Sequence, residues 1–494
     1  MATPPIDPPA WVADTIFYQV FPDRLARSGR VAAPGPLEAW DAPPTLYGFK
    51  GGDLYGVADR LDDLADLGIG GLYLNPIFTA ASNHRYNAAD YLTVDPLLGG
   101  DAALRELLDA AHARGIRVVL DGVFNHAGRG FFPFQHVLEA GLQSPYRDWF
   151  YLDPAVLAGA RTIDAYRPRG DGGPEATGYR SWWNVPAMPK LRVEHPPARE
   201  FLFGVAEHWL RFGIDGWRLD VPADVDDPTF WPEFRRRVRA VRPDCYLVGE
   251  LWGESPEWLT GDRFDALMNY PLGMAILGFA SGGRLDQAAI DGQSDYRAFL
   301  RALDGPAFGQ RVHALLELHD PAVTAVQYNL IGSHDTPRAR TILGGDVAAL
   351  RLAMLLLLTL PGAPSIYYGD EIALEGGPDP DCRRAYPVAP DEAALAHRAF
   401  VRAVAQARLD RRALRRGTAT VVVTSGQAIV IAREADGERA LVAVNPGRDG
   451  ALLELPDPAA VDGLKTLELP VVSAGRLVAG RVLELPPQSA LVLV

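Results

Sequence analysis

Eight short apolar runs, each alternating with a stretch of helical spacing, constrain this chain more than any other feature of its sequence. The runs cover residues 16–21, 70–77, 116–124, 213–221, 245–251, 264–270, 328–333 and 363–369. Between the first two, Val57, Leu61, Leu64 and Leu67 fall on one face of a helical pattern that Gly68 closes. Before the third, Leu104, Leu107, Leu108 and Ala111 do the same, with Asp101 as the expected N-cap and Gly115 as the stop. Eight strands alternating with helices are what a closed parallel barrel requires, so the fold expected is α/β, a (β/α)8 TIM barrel.

Two segments break the alternation. Residues 127–190 are rich in Gly, Pro, Trp and Tyr and show no clear helical period. Connections of that length are usually functional or form small domains of their own. Toward the end, residues 418–431, 439–444 and 464–494 alternate in polarity, carry many valines and are punctuated by Gly and Pro. They predict a C-terminal antiparallel β-sandwich. The expected organisation is a barrel from residues 1–126 and 191–410, an inserted domain at 127–190 and a β domain at 411–494. A chain of 494 residues is long enough for such a division.

The net charge of −14 disfavours nucleic acid and acidic membrane surfaces as partners. The longest apolar run, 352–360, falls far short of the ~20 residues of a spanning helix. Cys245 and Cys382, the two cysteines, make neither a disulfide framework nor a zinc site. Residues 1–9 lack the charged-then-apolar pattern of a secretory leader, so a cytoplasmic location is expected.

In a barrel the C-terminal ends of the strands face the mouth where chemistry occurs. The third strand ends in Asp121-Gly-Val-Phe-Asn-His126, the fourth in Gly216-Trp-Arg218-Leu-Asp220, the fifth in Gly249-Glu250-Leu-Trp252 and the seventh in Ser333-His334-Asp335. Carboxylates converging on one mouth suit glycoside hydrolysis, which in its retaining form uses one carboxylate as nucleophile and another as acid, then base. Arg218 stands two residues before Asp220, on the same strand face, where a guanidinium favours the ionised nucleophile. Taken singly, an aspartate at a strand end or one buried histidine is a structural feature; four strand ends supplying these groups together point to a site.

These four segments resemble the signature regions of the alpha-amylase family, glycoside hydrolase family 13, and the likeness extends from about Tyr18 to Arg384. The resemblance implies Asp220 as nucleophile, Glu250 as acid/base and Asp335 as the third carboxylate. It also implies Asp121, His126, Arg218 and His334 around the innermost glucose. Met188-Pro-Lys-Leu191 and Asn83-His84-Arg-Tyr86-Asn87 resemble the neopullulanase, cyclomaltodextrinase and maltogenic amylase subgroup, as do residues 18–24 and 144–150. There His84 would contact substrate, Tyr86 would stack on the sugar, Asp379 and Arg383 would bind the next glucose inward, and Trp252 would line the leaving-group side.

The activity implied by the resemblance is hydrolysis of α-1,4 bonds in maltodextrin, cyclodextrin or another α-glucan, with transfer to a sugar acceptor as a companion reaction. An exo-acting α-glucosidase or glucosyl transferase on the same fold is the nearest alternative, and a non-catalytic carbohydrate-binding protein is the alternative of another class. Members of the subgroup commonly carry an extra N-terminal β domain tied to dimerisation. Here the barrel begins near Trp11, so a monomer or a dimer of unusual mode is expected. No cofactor is expected. Relatives bind calcium just after the segment at 18–24, but residues 25–35 hold neither a carboxylate nor an Asn. Asn87 stands where relatives usually have Asp, which would loosen the support of Tyr86. Trp182 and Trp183 in the insertion read equally as a sugar platform or as packing, and Cys382 reads as a bystander.

Overall fold

Each apolar run forms a strand, trimmed to the residues that the barrel wall covers on both faces. The strands are β1 (Phe17–Val20), β2 (Gly71–Leu74), β3 (Arg117–Gly122), β4 (Gly216–Leu219), β5 (Tyr246–Gly249), β6 (Ala266–Asn269), β7 (Tyr328–Leu330) and β8 (Ala363–Tyr367). Each pairs in parallel with the next, and β8 returns to β1 to close the barrel. The computed structural model describes residues 5–167, 177–478 and 480–494. Residues 1–4, 168–176 and 479 lie outside it, and with them parts of the segment expected to lack a leader, of the insertion and of the β domain.

The floor of the barrel is aromatic. Phe17 lies 5.7 Å from Tyr246 and 5.4 Å from Tyr328, Tyr73 lies 6.1 Å from Tyr328, and Trp11 closes the end 5.9 Å from Phe17. Rings this large fill the interior with few side chains and give the mouth above them a rigid base. Helices surround the wall, among them the amphipathic α1 (Gly100–Ala113), α2 (Pro196–Phe212), α3 (Phe230–Val241), α5 (Gly305–Glu317) and α7 (Glu392–Asp410) and the largely buried α4 (Tyr270–Ala280) and α6 (Val347–Thr359). The apolar run at 352–360 belongs to α6, whose residues from Leu352 to Thr359 are all buried.

Three local expectations are corrected. The helical pattern before β2 is two helices, Leu54–Asp59 and Leu61–Asp66, that meet at Arg60. Gly56, whose missing side chain lets Ala26 O approach, weakens the first of them. Asp101 does not cap α1: Gly99, at φ 99°, takes the N-cap position, and the Asp101 carboxylate accepts from Val94 N at 2.9 Å. Within 127–190 lies a helix after all, Phe132–Ala140, whose two and a half turns bury Pro133, Phe134 and Val137. So short a helix leaves too few apolar repeats for a period to show.

The C-terminal residues fold into two facing sheets. One has the order Thr418–Ser425, Ala428–Ala435, Glu438–Asn445, Ser489–Leu493, Ser473–Ala474; the other has Ala451–Glu454, Val482–Leu485, Arg476–Leu477. All pairs are antiparallel except Ser473–Ala474 with Ser489–Leu493. Val430, Leu441, Leu453, Leu483, Leu485 and Leu491 fill the space between them. Two buried arginines join this domain to the barrel. Arg433 donates to Gly417 O, Thr418 O and Thr359 O, and Arg408 donates to Leu358 O, Leu360 O, Gly362 O and Leu414 O. Burial, only partly opposed by the Asp14 charge, pulls the Arg408 group down to about 9.

Candidate active site

Strand register sets the site. Asp121 of β3 pairs with Arg218 of β4, and Leu219 of β4 pairs with Gly249 of β5. Asp220 and Glu250 follow directly, so these four side chains meet at the C-terminal mouth. Arg218 is 2% exposed and serves all three acids. Its Nη1 donates to Asp121 at 2.9 and 3.0 Å and to Asp220 Oδ1 at 2.9 Å, while Nη2 stands 2.9 Å from Glu250 Oε2.

The three acids are not equivalent. Asp121 also accepts from Tyr73 at 2.6 Å and from Tyr86 at 2.7 Å, so every neighbour donates and nothing accepts a proton from it. Burial raises its carboxyl, and Arg218, Tyr73 and Tyr86 oppose this by favouring the anion that balances Arg218. Asp220 has Arg218 on Oδ1, which leaves Oδ2 for another partner. Glu250 takes Val221 N at 3.1 Å and Arg218 on the same oxygen, Oε2, which leaves Oε1 to carry a proton. Burial raises the Asp220 carboxyl well above its ordinary value; Arg218 opposes this, and Glu250, Asp121 and Asp335 add to it. The acids gathered around Arg218 thus favour a proton kept among them, and Oε1 of Glu250 is an oxygen that the geometry leaves open. Val221, which holds Glu250, has φ 35° and ψ 52°, a left-handed conformation uncommon for a β-branched residue.

Beside the acids stands a network built on Tyr86. Its Oη accepts from Asn75 Nδ2 at 3.0 Å and lies 2.6 Å from His334 Nε2. Gln19 Nε2 donates to Asn75 Oδ1 at 3.1 Å and to His334 Nδ1 at 2.9 Å, so the ring proton of His334 sits on Nε2. Burial, then Arg383 and Arg218, hold His334 well below its ordinary value, and it stays neutral. The expected loosening of Tyr86 by Asn87 does not occur, because the phenol oxygen is fixed from three sides and Asn87 Oδ1 accepts from Ser82 Oγ. The Tyr86 ring lies parallel to His334, 5.3 Å away, and is partly open.

The remaining residues fall into two groups. Asp335 lies at the open rim, its side chain 31% exposed, with Oδ2 3.0 Å from His334 Nε2 and Oδ1 3.3 Å from Arg383. Burial and the Glu250 charge raise its carboxyl to about 7. Arg383 also pairs with Asp379 at 2.9 Å and donates to His334 O. His84 stacks near Tyr86 and accepts from Tyr86 N at 3.2 Å, with burial lowering it to about 3. Trp252 stands apart on the β5 side, stacked on Tyr270 at 3.7 Å. His126 is brought to the site but faces protein: Nε2 donates to Tyr86 O at 3.1 Å, and its ring packs on Trp182. Cys382 is fully buried against His334 O, and burial pushes its thiol up to about 12.

Gln19, Tyr73, Asn75, Val221, Tyr270 and Met268, whose sulfur accepts from Arg218 Nε at 3.4 Å, support this site without having been singled out from the sequence. Gln19 carried a usable signal, a polar residue inside an apolar strand run. Asn75 carried the same signal in the second run, whereas Tyr73, Met268 and Tyr270 read as core residues until barrel closure brings them under the acids.

No helix among the described residues is long and apolar enough to cross a membrane. Residues 19–412 match the family described as alpha amylase, catalytic domain. The chain is 40% identical over 452 residues to a cyclomaltodextrinase of Geobacillus thermopakistaniensis (strain MAS1), across 91% of this chain and 71% of that protein. Among solved structures, Ttha1563 from Thermus thermophilus matches with a TM-score of 0.88 at 43% identity, covering 98% of this chain and 99% of that one. A debranching enzyme from Nostoc punctiforme matches with a TM-score of 0.87 at 41% identity, over 99% of each chain.

Proposed function

The chain belongs to the alpha-amylase family, and from that premise we propose that it is a retaining glycoside hydrolase that opens cyclic maltodextrins and cleaves short linear ones at α-1,4-glucosidic bonds. The observation that carries this reading is the single guanidinium joining Asp121, Asp220 and Glu250. Two carboxyls in contact with one cation at the mouth suit the pair that a retaining mechanism uses, one as nucleophile and one as acid, then base.

In the first half-reaction, Glu250 gives its proton to the glycosidic oxygen while Asp220 Oδ2 attacks the anomeric carbon. The leaving sugar departs with the proton, and a β-glucosyl ester of Asp220 remains. Water then yields a proton to Glu250 and attacks the same carbon, which frees Asp220 and gives the α-anomer. A sugar hydroxyl in place of water gives transfer. Asp335 and neutral His334 bind hydroxyls of the innermost glucose, Tyr86 offers it a ring face, and Asp379 and Arg383 hold the next unit inward. Trp252 and Tyr270 form the wall on the leaving-group side.

The enzyme acts without calcium in the stretch 25–35. Arg27 there donates to Lys50 O, and Arg30 pairs with Glu106 at 2.6 Å, so the loop presents cations where calcium asks for six to eight oxygens. Two buried free thiols suit the reducing cytoplasm.

The test is an NMR time course on β-cyclodextrin, maltotriose, soluble starch and an α-1,6-linked trisaccharide. Opening of the cyclic sugar with α-anomers appearing first is the expected result. Glucose released from maltotriose while the cyclic sugar stays intact would replace the reading with an exo-acting α-glucosidase. Preference for the α-1,6 bond would replace it with a debranching activity.

A further inference from the structure

Trp183 is a large apolar side chain that the catalytic site does not use, and its setting is unusual. It is 69% exposed, and its backbone is left-handed at φ 48° and ψ 32°, followed by Asn184 at φ 56°. Asparagine accepts that region readily, whereas a bulky aromatic residue is strained there. Isolated exposed hydrophobic residues are ordinary on any surface. This one is held by a tight turn, with Trp182 N on Met188 O, Met188 N on Val185 O and Val185 N on Trp182 O, each at 2.9 Å.

The turn sets the Trp183 ring at the end of a ladder of rings that is anchored behind the site. Trp183 stacks on Trp182 at 5.4 Å and 25°, and Trp182 stacks on His126 at 5.2 Å and 22°. His126 in turn holds the carbonyl of Tyr86. Trp182 Nε1 donates to Asp224 Oδ2 at 2.8 Å, and Lys190 braces the same segment through Asp224 O and Asp226. That segment begins at Val221, the residue that holds Glu250. Glu250 protonates the leaving oxygen, so the ladder is tied to the leaving-group side of the mouth.

Resting on the reading of this site as an α-glucan hydrolase, we infer that Trp183 is an outer acceptor platform, whose indole face takes a glucosyl unit beyond the one next to the scissile bond. The apolar face of a pyranose matches an exposed indole, and a ring already fixed by its neighbours loses little freedom on binding. The same platform holds an incoming oligosaccharide after the first sugar has left. It therefore raises the share of transfer over hydrolysis, without contributing to bond cleavage.

The test uses the full-length protein. Binding of maltoheptaose to Glu250→Gln, followed by tryptophan fluorescence, is compared with the same protein carrying Trp183→Ala or Trp183→Phe. In the otherwise unmodified protein, the ratio of transfer product to released sugar is measured with maltotetraose as donor and acceptor. Trp183→Ala is expected to weaken maltoheptaose binding about fivefold and to lower the transfer ratio at least threefold, and Trp183→Phe to restore most of both. Binding and transfer ratio both unchanged in Trp183→Ala, with its melting temperature intact, would overturn the inference. Should the unmodified protein turn over no α-glucan, the functional reading fails, while the maltoheptaose binding comparison still decides on Trp183.

Discussion

Replacing Arg218 by lysine tests the electrostatic account of the site most directly. The guanidinium reaches Asp121 and Asp220 through Nη1 and Glu250 through Nη2, all near 2.9 Å. An ammonium keeps the charge but concentrates it at one nitrogen, which cannot span both positions. At least one carboxylate loses a charge-assisted contact, a loss of about 1.5–3 kcal/mol. At about 1.36 kcal/mol per unit, this corresponds to an upward displacement of about one to two pH units for the released carboxyl. Asp220 must be ionised to attack, and loss of a cation favours its protonated form, so the acid limb of kcat/KM moves to higher pH. On the acid side of neutrality the variant should be about 10–100-fold slower, with part of the deficit recovered at alkaline pH. The assay is kcat/KM for a chromogenic maltoside across the pH range, with thermal unfolding to establish that the variant is folded. An acid limb that stays in place, or moves down, in a folded Arg218→Lys protein would refute the reasoning, because Arg218 would then not set the ionisation of Asp220.

Asp335→Asn should move the acid limb the other way, since its charge raises both Asp220 and, by proximity, the cluster as a whole; kcat should fall at least tenfold as the innermost glucose loses a charged acceptor. Arg433→Met leaves Gly417 O and Thr359 O buried without this donor, and should destabilise the protein by about 2 kcal/mol or more, read as an earlier urea midpoint. Cys245 and Cys382 should not react with a thiol reagent until the protein unfolds, since both are buried and burial raises both thiols; rapid native labelling with loss of activity would contradict the bystander role of Cys382.

The barrel was legible because strands covered on both faces read as short, mainly apolar runs separated by stretches of helical spacing. The helix at Phe132–Ala140 and the break at Arg60 were not, since two turns carry too little period and the break depends on how closely Gly56 approaches Ala26. Within the site, Arg218 and Asp220 could be placed on one face from their spacing alone. The link from Arg218 to Glu250, and the saturation of Asp121 by Tyr73 and Tyr86, depend on register between strands far apart in sequence. His126 shows the opposite error: the chain position was right, but the ring faces Trp182 and the Tyr86 carbonyl and not the open mouth.

Val221 marks a place where robustness and speed are set against each other. Its left-handed backbone stores strain of about 1–3 kcal/mol, which glycine would relieve at an entropic cost of about 0.5–1 kcal/mol. Glycine at this position would thus give a sturdier fold on balance. The main-chain amide would still reach the Glu250 carboxyl, but a residue without a Cβ leaves the segment freer to move, so that the proton donor is aimed less firmly. A lineage selected only for heat tolerance would drift toward glycine here, whereas one selected for turnover would keep the awkward valine.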